Sequence, residues 1–129
     1  MNRKCGKIIK LGGLNIWPHE QVIANIFAEV GHTVEFIKPS GRRGEKTPDA
    51  LVDGVKWEMK SPRASSLKAV ERNLKRGSWQ SNKIIFSSHR MKGIPDKAIE
   101  RELLKWSNKI NTITKVKFVN RHNKIIDIK

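Results

Sequence analysis

Apolar residues recur at helical spacing in three segments of the chain, and residues that start or stop helices bound each segment. The first helix is predicted to begin at Pro18, which suits the first helical turn, and to end at Gly31. Its apolar stripe consists of Val22, Ile23, Ile26, Phe27 and Val30. This pattern predicts an amphipathic helix with one face in the core.

Two more helices are predicted further along the chain. Ser65 or Ser66 can cap a helix that runs to about Arg76, and Gly77 is expected to end it. A third helix is predicted over residues 95–107. Its apolar side consists of Ile99, Leu103 and Trp106.

Short apolar runs between these helices are typical of strands. They cover residues 33–37, 50–52, 55–60, 83–87, 112–119 and 124–128, and a polar turn at 120–123 joins the last two. The resulting order, αβββαβαββ, predicts an α/β (α+β) fold with a mixed β-sheet flanked by helices. The 129 residues fit one domain that spans the whole chain.

Asp53-Gly54, between two apolar segments, is a strong signal for a two-residue hairpin. With these residues as the loop, Asp49 faces Glu58 across the hairpin, and Lys60 shares their face because side chains alternate along a strand. The opposite face carries the apolar set Ala50, Val52, Val55, Trp57 and Met59. The hairpin is therefore predicted to bury one face and to present two carboxylates and an ammonium group on the other.

Two directly opposed carboxylates repel each other, and a divalent cation between them reverses the sign of that interaction. Carboxylate oxygens suit Mg²⁺ or Mn²⁺, with Zn²⁺ as an alternative. Such a metal lowers the pKa of bound water and neutralises charge on a phosphodiester, and Lys60 would orient the nucleophile. Asp49, Glu58 and Lys60 are thus the candidate catalytic residues of a phosphodiesterase. The alternative is that Asp49 only forms a turn after Pro48, and that Glu58 and Lys60 lie on an ordinary solvated strand face.

The charge of the chain points to a polyanionic partner. Lysine and arginine number 27 against 12 acidic residues, giving a formal net charge of +15, and nucleic acid is the first partner to consider. A solvated basic surface and an anionic membrane surface are the alternatives. No apolar run is long enough to span a bilayer, and the start of the chain is not a convincing signal peptide. Cys5 is the one cysteine, which excludes an intrachain disulfide.

The motif residues resemble the PD-(D/E)xK nuclease superfamily. Pro48-Asp49, followed by Glu58-Met59-Lys60 after a short hairpin, matches its pattern, and the predicted order from Pro18 to Ser87 matches its restriction-endonuclease-like core. That core would occupy about residues 17–90, with the C-terminal helix and strand pair at about 95–128. In this superfamily a glutamate on the first helix often assists the metal site, which implies a role for Glu20 as a further catalytic and metal-binding residue. The alternative for Glu20 is a first-turn glutamate favoured by the helix dipole.

A narrower resemblance is to the C-terminal nuclease domains of bacterial contact-dependent growth-inhibition toxins. It rests on His19-Glu20, Gly31-His32-Thr33-Val34-Glu35, Thr47-Pro48-Asp49 and Trp57-Glu58-Met59-Lys60-Ser61. The resemblance implies a toxin that cleaves tRNA in the cytoplasm of a target bacterial cell, delivered as the C-terminal part of a larger secreted protein. It also implies a cognate immunity protein, and the basic charge predicts that this protein is acidic.

Several basic and aromatic residues are candidates for contact with nucleic acid. Arg42, Arg43 and Lys46 lie in a glycine-containing loop that leads to Asp49, where they could grip phosphates. A second basic group recurs at helical spacing along the second helix, namely Lys68, Arg72, Lys75 and Arg76. Trp79 is the best candidate for stacking on a base, and Gln80 matches a polar position near such sites. A solvated helix face and a loop amide are the alternatives for the helix residues and for Gln80. The four histidines show no metal-ligand spacing and are interpreted as surface or satisfied side chains.

Two other functions fit the same residues. A DNA endonuclease or junction resolvase of the same fold would use the same active site, which is blind to the sugar. A non-catalytic basic nucleic-acid-binding module would explain the charge, but it has no need for opposed carboxylates.

Overall fold

The computed structural model describes residues 6–10, 12, 14–38 and 48–129. Its helices and strands, in chain order, are β1 (Ile8–Ile9), α1 (Pro18–Glu29), β2 (Val34–Phe36), β3 (Ala50–Val52), β4 (Val55–Lys60), α2 (Lys68–Ser78), β5 (Lys83–Ser87), α3 (Asp96–Lys109), β6 (Lys115–Val119) and β7 (Ile125–Asp127). In this part of the chain, no helix is long and apolar enough to cross a membrane. The predicted loop residues Arg42, Arg43 and Lys46 lie outside the described residues.

The seven strands form one mixed sheet in which the spatial order follows the chain order from β1 to β7. Neighbours are parallel at β1–β2, β4–β5 and β5–β6, and antiparallel at β2–β3, β3–β4 and β6–β7. The predicted mixed sheet with flanking helices is confirmed. The short strand β1 was not predicted, because two isoleucines are too few to show an alternating pattern.

The hairpin between β3 and β4 has the predicted register, with Ala50 opposite Trp57 and Val52 opposite Val55. Asp53 and Gly54 both have positive φ, at 51° and 83°, as a turn that matches the twist of the strands requires. The Asp53 carboxylate also accepts a hydrogen bond from the backbone N–H of Thr33 at 2.8 Å. The turn is therefore fixed both by its own backbone and by the start of β2.

Helices cover both faces of the sheet, and each face has its own apolar cluster. On one face, α1 packs over the hairpin, with Phe27 and Trp57 among the buried side chains. On the other face, α2 and α3 cover β5 and β6, with Leu74 and Leu103 among those buried. As a result, the beginning of α1 and the end of β4 lie in the same region of the molecule as Asp49, the residue before β3.

Three details of the sequence prediction are wrong. Val22 and Val30 are 42% and 40% exposed, because the buried face of α1 is narrower than the predicted stripe. Val55 is 42% exposed, because it lies next to the hairpin turn at the margin of the α1 face. Gly77 does not end α2, which continues to Ser78.

Gly77 instead allows α2 to lie close to the sheet. A Cβ atom at this position would be 3.0 Å from Cδ1 of Ile84 and 3.5 Å from Cε of Lys60. The first distance is shorter than ordinary van der Waals contact, so a side chain here would require the buried Ile84 side chain or α2 to shift by a few tenths of an ångström. The glycine therefore serves the packing of α2 on the sheet rather than the end of the helix.

Candidate active site

Asp49 precedes β3 and is fixed between two neighbouring strands. Its carboxylate Oδ2 accepts a hydrogen bond from the backbone N–H of Met59 at 2.8 Å. Its carbonyl oxygen accepts one from the N–H of Ile37 at 3.0 Å. One rung beyond the pair of Ala50 and Trp57, the hairpin register places Asp49 opposite Glu58, as predicted.

Glu58 is a buried carboxylate, although it belongs to the strand face that was predicted to be presented outward. Its residue is 6% exposed, and its Oε2 lies 3.5 Å from Nζ of Lys60. Its Oε1 is buried and has no hydrogen-bond partner within the described part of the structure. An ordinary solvated strand face is thus excluded for Glu58, because the residue is buried in the part of the sheet against which α2 packs.

The proton affinity of Glu58 reflects these surroundings. Burial, and then the negative charge of Asp49, raise the pKa of Glu58 from 4.5 to about 8. The positive charge of Lys60 acts in the opposite direction but is outweighed. At neutral pH Glu58 therefore favours its protonated form, which reduces its repulsion with Asp49.

Glu20, in the first turn of α1, belongs to the same group. Burial, and then the charge of Asp49, raise the pKa of Glu20 from 4.5 to about 7, and a side-chain hydrogen bond with Asp49 acts in the same direction. Lys60 is close enough to act against this rise. The structure thus brings together four side chains that the sequence singled out, from three separate segments: Glu20, Asp49, Glu58 and Lys60.

These carboxylates do not form a complete metal cage. Among residues 6–10, 12, 14–38 and 48–129, no group of three or more histidine, cysteine, aspartate or glutamate side chains has an arrangement that could hold a metal ion. The predicted three-carboxylate set of Glu20, Asp49 and Glu58 is therefore not assembled as three ready ligands.

The other predicted contact residues lie around α2 and its end. The side chains of Lys68, Arg72, Lys75 and Arg76 are exposed. Lys75 pairs with Glu71 at 2.6 Å, so part of this basic face is neutralised within the helix. Trp79 follows α2 and is 62% exposed, and the backbone N–H of Gln80 donates to the carbonyl of Gly77 at 2.9 Å.

Sequence reasoning missed a group of cationic residues beside the carboxylates. Arg90 donates a hydrogen bond from Nη1 to Nδ1 of His19, the residue before Glu20. Burial, then the charge of Arg90, lower the pKa of His19, whereas Asp49 raises it and Arg63 lowers it, so all these groups are within electrostatic reach. The available signal was topological. Arg63 and Arg90 follow β4 and β5, which are parallel neighbours, and loops after parallel strands meet at one edge of a sheet.

Comparisons with known proteins agree with this architecture. The fold is similar to a solved structure described as the CdiA-CT/CdiI toxin and immunity complex from Burkholderia pseudomallei, with a TM-score of 0.65. The likeness covers 96% of each chain at 20% sequence identity, so it concerns the fold alone. No curated protein matches the chain.

The sequence itself identifies the family. Residues 46–125 match the contact-dependent growth inhibition CdiA C-terminal domain, and this match spans more than half of the chain. It includes Asp49, Glu58 and Lys60. The chain therefore belongs to the CdiA C-terminal toxin domains of contact-dependent growth inhibition.

Proposed function

We propose that this toxin domain is a metal-dependent nuclease of the PD-(D/E)xK class that cleaves tRNA. The observation that carries the proposal is the environment of Glu58. This carboxylate is buried opposite Asp49 and 3.5 Å from the ammonium group of Lys60, and one of its oxygens has no hydrogen-bond partner among the described residues. A buried carboxylate oxygen without a partner destabilises a strand that has only a structural role. A carboxylate that binds a cation needs such an oxygen, because the oxygen is the metal ligand.

The donor set fits Mg²⁺ or Mn²⁺ better than Zn²⁺. Asp49 and Glu58 would hold the metal, because Mg²⁺ commonly takes only one or two carboxylates and keeps several waters. Zn²⁺ favours nitrogen and sulfur ligands, and the nearby His19 already accepts a hydrogen bond from Arg90. Glu20 supports this pair from the side of Asp49 and would complete the ligand set through water.

The catalytic roles follow from the charges at the site. A bound Mg²⁺ or Mn²⁺ would lower the pKa of a coordinated water and neutralise charge on the scissile phosphate. Lys60 holds its positive charge beside Glu58, where it orients the attacking water and stabilises the negative charge of the transition state. The backbone N–H of Met59 donates a hydrogen bond to one carboxylate oxygen of Asp49 and so holds this side chain in one orientation.

The substrate class rests on the charge of the chain and on its family. A net charge of +15 favours a polyanion, and the motifs around His19-Glu20 and Trp57–Ser61 resemble growth-inhibition toxins that cleave tRNA. A DNA endonuclease or junction resolvase remains the second candidate, because nothing in the group of Asp49, Glu58 and Lys60 reads the sugar. A non-catalytic binding module is the third.

Cleavage assays on tRNA and on duplex DNA, with Mg²⁺ and with a chelator, separate these functions. We expect the wild-type chain to cut tRNA only when the metal is present. Asp49→Asn, Glu58→Gln and Lys60→Ala should each lower the rate by about a thousandfold or more, because each removes charge stabilisation at the reacting phosphate. Glu29→Gln and Lys97→Ala change exposed side chains of α1 and α3 and serve as matched controls.

The outcomes assign the function directly. Preferential cleavage of DNA would favour the second candidate, and tight binding without metal-dependent cleavage would favour the third. Near-normal cleavage by any one of the three active-site variants would remove that residue from the mechanism.

We also propose that a cognate acidic immunity protein neutralises this domain in the cell that produces it. The Burkholderia pseudomallei structure with a similar fold is itself a toxin and immunity complex. As the C-terminal domain of a larger delivered protein, this chain would act in the cytoplasm of the target cell. An acidic partner would meet its positive field and associate quickly.

Growth on expression tests this partner. The domain alone should arrest growth, the Glu58→Gln variant should not, and co-expression of a small acidic protein encoded next to the toxin should restore growth and co-purify with the chain. Unchanged growth and intact cellular tRNA on expression of the active domain would refute the toxin activity.

A further inference from the structure

Three cationic or hydrogen-bonding side chains from distant parts of the chain meet beside the carboxylates. Arg63 follows β4, Arg90 follows β5, and His19 opens α1. Because β4 and β5 are parallel neighbours, with Lys60 opposite Phe86, the loops after them leave the sheet at the same edge. In α/β sheets this edge is where ligands bind.

Arg90 is held in place but is not satisfied. Its Nη1 donates to Nδ1 of His19, and its residue is half-buried. Its Nε is buried and has no hydrogen-bond partner among the described residues. Buried donors in folded proteins nearly always have a partner, so Arg90 carries a hydrogen-bonding capacity that the described residues do not satisfy.

The shape of the surface offers that acceptor a place. A groove lined by Trp17, Pro18 and His19 on one side continues past Arg63 and Arg90. A second groove, on the other side of the two arginines, is lined by Ala64, Ser65, His89 and Lys92. Arg63 and Arg90 thus line both grooves, which together are called the arginine furrow, and both arginines and Asp49 are within electrostatic reach of His19.

The charge balance of this furrow favours an anion. Arg63, Arg90 and Lys92 contribute three positive charges, and none of the described residues that line either groove is an aspartate or glutamate. The two ring nitrogens of His89 already have partners and do not bind the anion, because Nδ1 contacts Ser87 Oγ and Nε2 contacts the side-chain oxygen of Asn123. Arginine binds phosphate oxygens with two parallel N–H groups, which suits a backbone that must be held in one orientation.

We propose that Arg63 and Arg90 form a phosphate-binding subsite, which holds the phosphodiester next to the one that is cut. His19 is a positioning residue in this subsite, because its Nδ1 fixes the plane of the Arg90 guanidinium group. The identity of the anion as a nucleic-acid backbone rests on the proposed nuclease function. The subsite explains how a substrate could be oriented at Asp49 and Glu58, which themselves repel phosphate.

Binding of tRNA to chains that cannot cut it tests the subsite. In a Glu58→Gln background with Mg²⁺ present, Arg63→Gln and Arg90→Gln should each weaken binding about tenfold at physiological salt. Each should also reduce the slope of log affinity against log salt by about 0.7 to 0.9, because one phosphate contact is lost. Arg101→Gln removes the same charge from an exposed site on α3 and should change affinity by less than about twofold.

Substitutions of His19 separate positioning from general stability. His19→Ala should weaken binding as Arg90→Gln does, whereas His19→Gln should restore it, since the amide oxygen can accept the hydrogen bond from Arg90. A purely structural role for His19 would show equal losses in both variants, together with a lower melting temperature.

The two proposals fail in different ways. If the wild-type chain does not cut tRNA but the arginine variants still lose affinity and salt slope, the nuclease function is refuted and the anion subsite stands. If the wild-type chain cuts tRNA and both arginine variants bind with the affinity and slope of Arg101→Gln, the subsite is refuted. Arg63 is exposed, so Arg63→Gln decides the question alone if Arg90→Gln does not fold.

Discussion

Replacing Glu58 by glutamine should stabilise the metal-free protein at alkaline pH, although it destroys the site. Burial and the charge of Asp49 raise the pKa of Glu58 from 4.5 to about 8. The folded chain therefore keeps a proton that the unfolded chain has released. This contribution to stability is complete below about pH 4.5 and is lost as the pH rises through about 8. Glutamine carries no titrating group, so its stability contribution is constant over this range.

The magnitude follows from proton linkage. A single retained proton lowers the free energy of unfolding by at most about 1.4 kcal/mol for each pH unit within this window. Because Glu58, Asp49 and Glu20 interact electrostatically and share the effect of one proton, we expect about half of that slope. Raising the pH from about 5 to about 8 should then lower the free energy of unfolding of the wild-type chain by about 2 kcal/mol through this group.

Chemical denaturation at several pH values, in the presence of a chelator, measures this effect. Wild-type protein should lose stability from about pH 5 to about pH 8, and Glu58→Gln should lose about 2 kcal/mol less and become the more stable protein at the alkaline end. Saturating Mg²⁺ should stabilise the wild-type chain at alkaline pH but not the variant, because the cation binds the folded state only when both carboxylates are charged. Equal pH dependence of the two proteins would refute the assignment of the raised pKa to Glu58.

Two further substitutions test the packing and the hairpin that hold the site. Gly77→Ala places a Cβ 3.0 Å from the buried Ile84. Overpacking of about 2 kcal/mol outweighs a gain of about 1 kcal/mol in helix propensity, so thermal melting should show a net loss of stability. A raised melting temperature would contradict the close approach of α2 to the sheet. Asp53→Ala should lower stability by about 1 to 2 kcal/mol at neutral pH, because it removes the acceptor for the Thr33 N–H and the His32 ring. Hydrogen bonds from His32 and Thr33 lower the pKa of Asp53 in the folded chain. The stability that Asp53 contributes is therefore present above its ordinary pKa and is lost as the pH falls through its pKa in the folded chain. Denaturation curves in acid should show the wild-type chain and Asp53→Ala converging in stability.

The hairpin and the carboxylate pair were predictable because their geometry is local. Asp53 and Gly54 fix a two-residue turn, and the turn fixes which residues of β3 and β4 face each other. The position of Asp49 opposite Glu58 follows from that register without any knowledge of the remaining chain. The type and order of the longer elements were predictable for the same reason, since periodicity and helix-start residues act over a few turns.

Burial and long-range contacts were not predictable in the same way. Glu58 lies on the polar face of its hairpin, yet it is buried in the folded chain, in which α2 packs against β4. The bond between Arg90 and His19 joins residues that are 71 positions apart, and no periodicity or spacing connects them. Such contacts depend on how helices and strands pack, which a pattern along the chain does not specify.

The order of the strands has a consequence for how the domain regains its structure after transport. Every strand pairs with the strand that precedes it in the chain, so no strand has to enter between two that are already joined. A chain that emerges progressively from one end can therefore add each strand to the growing edge of the sheet, and most loops that must close along this route are short. When the N-terminal end emerges first, the carboxylates of Asp49 and Glu58 meet as soon as the fourth strand is added, while the arginine furrow is completed only after the fifth. The toxin would thus acquire its reactive groups before the surface that orients its substrate.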